Sequence, residues 1–226
     1  MAELNGPRLE PRSGQARQLV VFLHGYGADG NDLIEIGRAW QALLPDAAFV
    51  SPHAPRPCGQ APMGREWFPL TFRDLNERWV GVNAAAPVLD AFLDAELQRH
   101  NLPDSALALV GFSQGTMMSL HVGLRRAEAP AAIVGYSGML VTPESDAEME
   151  QFAASIRSRP PVLLVHGDSD DLIPVQAVFH AAQGLAALDV PAEFHISAGI
   201  GHGIDQEGLR QGGEFLARRF GGRAIP

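Results

Sequence analysis

The sequence predicts an α/β fold in which a mostly parallel β-sheet carries helices on both faces. Short apolar runs rich in β-branched residues recur along the chain, and their continuous rather than alternating pattern is typical of strands buried on both faces. Segments with the apolar spacing of amphipathic helices lie between these runs. The predicted strands are 19–23, 48–51, 107–111, 132–136, 162–166 and 193–196, and the predicted helices are 32–44, 81–99, 114–126, 146–157, 174–188 and 204–220.

Composition predicts one compact domain that spans residues 1–226. Hydrophobic residues make up 46% of the chain and charged residues 19%, which suits a large buried core rather than disorder. No linker, repeat or low-complexity tract divides the sequence. The proline-rich stretch 52–69, which we call the 52–69 segment, is too long for an ordinary connection. It is either a functional loop or an irregular surface excursion.

Charge and cysteine content narrow the class of protein. A formal net charge of −9 and the lack of a lysine- or arginine-rich block argue against a nucleic-acid partner or an anionic membrane surface. No apolar run is long enough to span a bilayer, and the N-terminal stretch has no secretory apolar region. The single cysteine, Cys58, excludes an internal disulfide and agrees with a reducing compartment. We expect a cytoplasmic monomer or homodimer with no integral membrane association.

The first predicted strand runs into LHGYGADG, a turn that fits two different chemistries. Gly25, Gly27 and Gly30 match the G-x-G-x-x-G fingerprint of a dinucleotide site. A His-Gly-x-Gly turn in this place also supplies a backbone N–H to an oxyanion in some hydrolases. A dinucleotide site requires an acidic residue about 20 positions later, but the second strand ends in Ser51 and Pro52. The nicotinamide interpretation is therefore disfavoured, and no cofactor is expected.

The third predicted strand is followed by GFSQG, which matches the G-x-S-x-G pattern. In this pattern the serine lies on a tight strand-to-helix turn that exposes its hydroxyl above the sheet, and the flanking glycines Gly111 and Gly115 avoid collisions. The alternative is an ordinary serine in a glycine turn, but the buried strand before Ser113 and the helix after it favour a nucleophile. Ser137, in GYSGML, lacks the second spaced glycine and is interpreted as a wall or loop residue.

A serine nucleophile requires a base, and the base requires an orienting acid. In this type of fold the acid and then the histidine follow the serine along the chain. His202, in SAGIGHGID, is the histidine that lies in a loop after the last strand. Among the other histidines, His24 and His166 are predicted at strand ends, where they hold loop geometry through hydrogen bonds. Packing or surface roles are predicted for His195 in a strand, His121 and His180 on helices, and His100 near a helix end.

The acid is predicted in HGDSDDLIP, after the fifth strand, where Asp168, Asp170 and Asp171 are all candidates. Such a cluster can also bind a cation. An EF-hand loop counted from Asp168 would, however, require glycine and glutamate where Ile173 and Phe179 stand. We therefore expect no metal site here.

The motifs LHGYGADGND, GFSQGTMMSL, HGDSDDLIP and GIGHGI, in this order, cover nearly the whole chain. Together they resemble the phospholipase/carboxylesterase family, which contains bacterial carboxylesterases and acyl-protein thioesterases. The resemblance implies an α/β-hydrolase fold without a large cap domain. It also implies Ser113 as nucleophile, His202 as base and Asp170 as acid, with the backbone N–H groups of Tyr26 and Gln114 forming the oxyanion hole. Within HGDSDDLIP, isoleucine stands where the family motif has valine.

The predicted function is a serine hydrolase that cleaves carboxylic esters with short to medium acyl chains through an acyl-enzyme intermediate. Only about 25 residues separate the fourth and fifth strands, too few for a cap domain with its own core, which predicts an open site. An acyl-protein thioesterase or a lysophospholipase would use the same triad. A ligand-binding protein without turnover is the alternative from another class.

The predicted partner is a small-molecule ester or thioester. The predicted substrate-binding residues are Met63, Trp67 and Phe68 in the 52–69 segment, together with Leu172 beside the acid. In the family the loop that corresponds to this segment lies near the acyl site. An aromatic pair such as Trp67 and Phe68 can also belong to the core.

Overall fold

The computed structural model describes residues 4–71, 74 and 76–221. The strands are β1 (Arg8–Leu9), β2 (Gln18–Leu23), β3 (Ala47–Val50), β4 (Arg56–Pro57), β5 (Arg65–Glu66), β6 (Leu107–Phe112), β7 (Ala132–Tyr136), β8 (Val162–Gly167) and β9 (Ala192–Ser197). The helices are α1 (Gly30–Trp40), α2 (Glu77–His100), α3 (Gln114–Gly123), α4 (Asp146–Ser155), α5 (Gln176–Ala187) and α6 (Gln206–Arg219), and a 3-10 turn covers Asp104–Ala106.

Seven strands form one sheet in the order β1-β3-β2-β6-β7-β8-β9. Strand β1 pairs with β3 in the antiparallel sense, and the other neighbours pair in parallel. The central strand β6 is bounded by β2 and β7, and its residues 107–110 are fully buried. The mostly parallel α/β fold predicted from the continuous apolar runs is therefore confirmed.

Two hydrophobic clusters lie on opposite faces of this sheet. Successive residues of β2 face opposite clusters: Val21 packs in one and Phe22 in the other. Leu89 of α2 and Met118 of α3 belong to the first cluster, whereas Phe215 of α6 belongs to the second. Helices α2 to α5 cover one face of the sheet, and α1 and α6 cover the other. Because both faces are buried, a ligand site is expected at the carboxyl ends of the strands.

The boundaries differ from the predicted ones in a few places. Helix α1 begins at Gly30, two residues before the predicted start, because Asp29 caps it by accepting a hydrogen bond from Asn31 N–H at 2.7 Å. Helix α2 begins at Glu77, ahead of the predicted start at Gly81. The short strands β1, β4 and β5 were not predicted, and β4 and β5 form a small antiparallel hairpin inside the 52–69 segment.

The connections bear on access to the strand ends. The link between β7 and β8, residues 137–161, contains helix α4 and no cap domain. Within the described part of the chain, no helix combines the length and the apolar character needed to cross a membrane.

Candidate active site

The turn that carries Ser113 joins the end of β6 to the start of α3. Ser113 has φ 54° and ψ −114°, a conformation that a residue with a Cβ rarely adopts, and its N–H donates to Tyr136 O at 2.9 Å. This strained geometry is the one predicted from G-x-S-x-G. It places the hydroxyl at the carboxyl edge of the sheet, next to the N-terminus of α3.

The flanking glycines are required by close backbone contacts. A Cβ on Gly111 would lie 2.4 Å from Gly115 O, and a Cβ on Gly115 would lie 1.7 Å from Leu23 O. Neither position can accept a side chain unless the turn or the neighbouring strand shifts. The turn therefore packs directly on the end of β2.

Asp170 and His202 meet above the ends of β8 and β9. His202 Nδ1 donates to Asp170 Oδ2 at 2.7 Å, and the Asp170 side chain is fully buried. Asp170 Oδ1 accepts from Leu172 N–H at 3.0 Å and from Ile173 N–H at 2.9 Å. Burial opposes ionisation, but the Ile173 N–H, His202 and the Leu172 N–H together hold the pKa of the Asp170 carboxyl below its usual range. The buried acid is therefore an ionised partner for the imidazole.

The other two aspartates of HGDSDDLIP have different surroundings. Asp168 Oδ1 accepts from Gly199 N–H at 2.7 Å, which ties the loop after β8 to the loop that carries His202. Asp171 is exposed at the site. Of the three, Asp170 is the one in contact with His202.

Two further histidines at strand ends make the hydrogen bonds expected of them. His24 Nδ1 donates to Gly25 O at 2.8 Å, while its Nε2 accepts from Ala54 N–H at 3.0 Å. Burial lowers the pKa of His24 to about 4, so the ring is neutral. His166 Nε2 donates to Ile173 O at 2.8 Å and supports the loop that presents Asp170.

The LHGYGADG turn lies directly beside the serine. A Cβ on Gly25 would lie 3.4 Å from the Cβ of Ser113, and Gly27 has φ +80°, which favours glycine. Gly27 N–H donates to Arg65 O at 2.9 Å. Tyr26 therefore sits between a glycine packed closely on Phe112 and Ser113 and a glycine with positive φ. Gln114 contributes the first N–H of α3, at the positive end of that helix.

A cavity of about 300 Å³ opens at Ser113 and His202. Its wall combines the predicted chemical residues with apolar side chains and one arginine. The lining residues are Gly25, Tyr26, Ala28, Leu70, Arg78, Phe112, Ser113, Gln114, Met117, Asp171, Leu172, Ile173 and His202. The rings of Phe112 and His202 lie with centroids 5.0 Å apart, so the imidazole has an apolar neighbour on the cavity side.

The four predicted substrate-binding residues are distributed differently from the expectation. Leu172 lines the cavity and is 71% exposed. Among the described residues that line it, Met63, Trp67 and Phe68 do not occur. Met63 is 94% exposed, whereas Trp67 and Phe68 are buried in the core. The expectation of an aromatic wall is corrected: this pair anchors the 52–69 segment instead.

The anchoring of Trp67 and Phe68 runs through the side chain of Gln114. Trp67 N–H donates to Gln114 Oε1 at 2.8 Å, and Gln114 Nε2 donates to Phe68 O at 2.8 Å. Trp67 Nε1 also donates to His24 O at 3.0 Å. The end of the segment is thus bound to the residue after the serine and to the start of the LHGYGADG turn.

Sequence reasoning missed several lining residues. Met117 follows Ser113 by one helical turn of α3, so its spacing could have indicated the same face. Leu70 and Arg78 had no comparable signal, because they reach the cavity only through the path of the chain into α2. Ser137, interpreted as a wall or loop residue, is buried and donates to Gly203 O at 3.1 Å, which supports the His202 loop.

Comparison with known proteins identifies the family of the chain. The model of the phospholipase/carboxylesterase family matches residues 4–219. The chain is similar to the crystal structure of esterase PE8, with 46% identity and a TM-score of 0.90 over 96% of this chain and 99% of that one. It is 26% identical to acyl-protein thioesterase 1 of Gibberella zeae over 95% of both chains. It is also 26% identical to esterase YpfH of Escherichia coli, over 86% of this chain and 80% of that protein. The chain belongs to the phospholipase/carboxylesterase family and is an ester hydrolase with an α/β-hydrolase fold.

Proposed function

We propose that the protein hydrolyses carboxylic esters with a Ser113, His202 and Asp170 triad. The observation that carries the proposal is the 2.7 Å contact between His202 Nδ1 and the buried Asp170 Oδ2, beside a cavity that Ser113 and His202 both line. With Nδ1 held by the acid, Nε2 is the ring nitrogen left to exchange a proton with the serine hydroxyl.

The reaction has two halves. Ser113 Oγ attacks the ester carbonyl carbon while His202 takes the hydroxyl proton, and the resulting imidazolium is stabilised by the ionised Asp170. Collapse of the tetrahedral intermediate breaks the carbon–oxygen bond of the ester, and His202 gives its proton to the leaving alcohol. Water, activated by His202, then attacks the acyl-enzyme and releases the acid and free Ser113.

The oxyanion of each tetrahedral intermediate is stabilised by the N–H groups of Tyr26 and Gln114. The positive φ of Gly27 and the close packing of Gly25 on Ser113 support this role for the turn that carries Tyr26. Such preorganised donors each lower the barrier by roughly 3 kcal/mol.

The cavity favours short to medium acyl chains. Its volume of about 300 Å³ is at the small end for ligand sites, and Leu70, Phe112 and Met117 give it an apolar wall. A thioester is the second candidate substrate, because a relative that matches over 95% of the chain is named as an acyl-protein thioesterase. The triad chemistry is the same for both leaving groups.

The test is intact-mass analysis after treatment with a fluorophosphonate, followed by a series of p-nitrophenyl esters of increasing chain length and one matched thioester. We expect a single adduct on the wild type and on Ser13→Ala, a control at an exposed serine, and none on Ser113→Ala. An adduct that persists in folded Ser113→Ala would contradict the assignment. A folded wild type that forms no adduct would favour the ligand-binding alternative.

A further inference from the structure

One charged residue that lines the active-site cavity, an arginine, has no part in the proposed hydrolysis. Arg78, in the first turn of α2, lies in the wall with Leu70, Met117 and Leu172. An arginine in a mostly apolar wall is unusual, because burying a cation without a partner costs free energy. This residue therefore requires an explanation of its own.

Arg78 lacks a protein partner among the residues that the structure describes. Its Nε is enclosed and makes no hydrogen bond. None of the ion pairs in the described part of the chain includes it. Arg126, a buried arginine of the same helical layer, pairs with three aspartates, Asp90, Asp94 and Asp104. Arg125 has no acid partner among the described residues but packs over the rings of Trp79 and Phe152. In the described part of the chain, Arg78 has neither kind of partner.

Asp74 and Glu77, the acidic residues beside Arg78 in the sequence, accept hydrogen bonds from other groups. Asp74 accepts from Asn76 N–H at 2.9 Å, and Glu77 accepts from Thr71 N–H and Thr71 Oγ1, both at 2.8 Å. Asp171 also lines the cavity, but it is exposed, so water and salt screen its charge. The guanidinium of Arg78, whose Nε is enclosed, therefore has no carboxylate partner among the described residues.

We infer that Arg78 is a specificity residue that binds an anionic group of the substrate, a carboxylate or a phosphate carried a few atoms from the scissile carbonyl. This rests on the proposed function of Ser113, His202 and Asp170. A guanidinium donates two parallel N–H bonds to such a group, and the enclosed setting strengthens them. The reaction is the same hydrolysis, and the anionic group is held without being transformed.

The test compares esters that differ only in that charge. On the acyl side, p-nitrophenyl pentanoate is paired with the mono-p-nitrophenyl ester of glutaric acid, which has the same number of carbons. On the alcohol side, monobutyrylglycerol is paired with butyrylglycerol 3-phosphate, and acid release is followed by titration. We expect Arg78→Gln to lower kcat/KM for the anionic member of at least one pair by about 10- to 100-fold, and for the neutral member by less than about threefold.

The matched control is Arg17→Gln, which removes the same charge from an exposed arginine before β2, at the edge of the sheet opposite Ser113. It is expected to leave both ratios unchanged, and Arg78→Lys is expected to recover part of the loss. Equal losses on charged and neutral esters, or no loss in either pair, would overturn the inference and make Arg78 a packing residue.

A second measurement avoids the variant and covers the case in which Arg78→Gln does not fold. In the wild type, kcat/KM of the anionic ester should equal or exceed that of its neutral partner in at least one pair, although the net charge of −9 repels an anion. A lower kcat/KM for the anionic ester in both pairs overturns the inference. Failure of the proposed function is a separate result, since it would abolish turnover of the neutral esters as well.

Discussion

Two imidazoles at the same edge of the sheet have opposite properties. His24 is fully buried and bonded only to backbone groups, Gly25 O and Ala54 N–H, and burial lowers its pKa to about 4. His202 is partly exposed and bonded to an ionised carboxylate, Asp170. An imidazole with backbone partners stays neutral and holds loops together, whereas one with an anionic partner can carry a proton during a reaction. Exposure distinguishes them as well as the partner, because the buried His166 also contacts this carboxylate, with Nε2 3.3 Å from Asp170 Oδ2.

Removing the acid is the strongest test of this contrast. Asp170→Asn keeps an oxygen to accept from Leu172 N–H and Ile173 N–H but no longer stabilises an imidazolium. We expect kcat to fall by about 10⁴-fold with little change in the urea midpoint. Asp168→Asn, a neighbouring carboxylate that bonds to Gly199 instead, should retain most of the activity. Comparable losses of kcat in both variants would show that Asp170 is not the specific partner of His202.

The dependence of stability on pH tests whether His24 is neutral in the folded protein. The pKa of His24 is about 4 in the folded protein against 6.5 for an unperturbed histidine, so between these pH values the unfolded chain binds more protons. The free energy of unfolding should therefore fall as pH drops from 6.5 to 4, by about 3 kcal/mol from this residue. His121, whose pKa burial lowers to about 3, acts in the same direction.

The measurement is the urea unfolding free energy at several pH values for the wild type, His24→Gln and His180→Gln, a change at an exposed histidine of α5. His24→Gln should have a shallower dependence than the wild type between pH 6.5 and 4, and His180→Gln should not. Parallel curves for His24→Gln and the wild type would show that His24 titrates normally.

Gln114→Leu separates two roles of one residue: the side-chain amide that binds residues 67 and 68, and the backbone N–H that is proposed to bind the oxyanion. The change leaves Trp67 N–H and Phe68 O without their buried side-chain partner, so we expect a loss of about 2 kcal/mol in unfolding free energy and faster proteolysis within residues 56–66. The backbone N–H of residue 114 remains, so fluorophosphonate labelling should persist. Gln98→Leu, on the exposed face of α2, is the control. Loss of labelling without loss of stability would contradict this division of roles.

Features that depend on residues close together in the sequence were predicted, whereas features that depend on residues far apart were not. The strands of the central sheet are continuous apolar runs, and the turn at Ser113 is determined by neighbouring glycines, so both have local signals. Strand β1 exists because Arg8 and Leu9 pair with β3, some 40 positions away, and no local pattern announces such a pairing.

The cavity wall shows the same limit. Trp67 and Phe68 are equally suited to a substrate wall and to a core, and the side-chain amide of Gln114 decides between them. Arg78 reaches the cavity because α2 starts earlier than its apolar spacing indicates. Both outcomes depend on contacts between distant parts of the chain, which periodicity does not encode.

The two hydrogen bonds of the Gln114 side-chain amide have a consequence for redesign of the 52–69 segment. This amide recognises only the main chain of residues 67 and 68, so it imposes no requirement on the side chains of the β4–β5 hairpin. The hairpin backbone, by contrast, packs on the LHGYGADG turn: a Cβ on Gly64 would lie 1.9 Å from Gly27 O, and Arg65 N–H donates to Ala28 O at 2.8 Å. Libraries can therefore vary the exposed side chain of Met63, but they must keep Gly64 and the backbone path of Arg65 to preserve the turn that carries Tyr26.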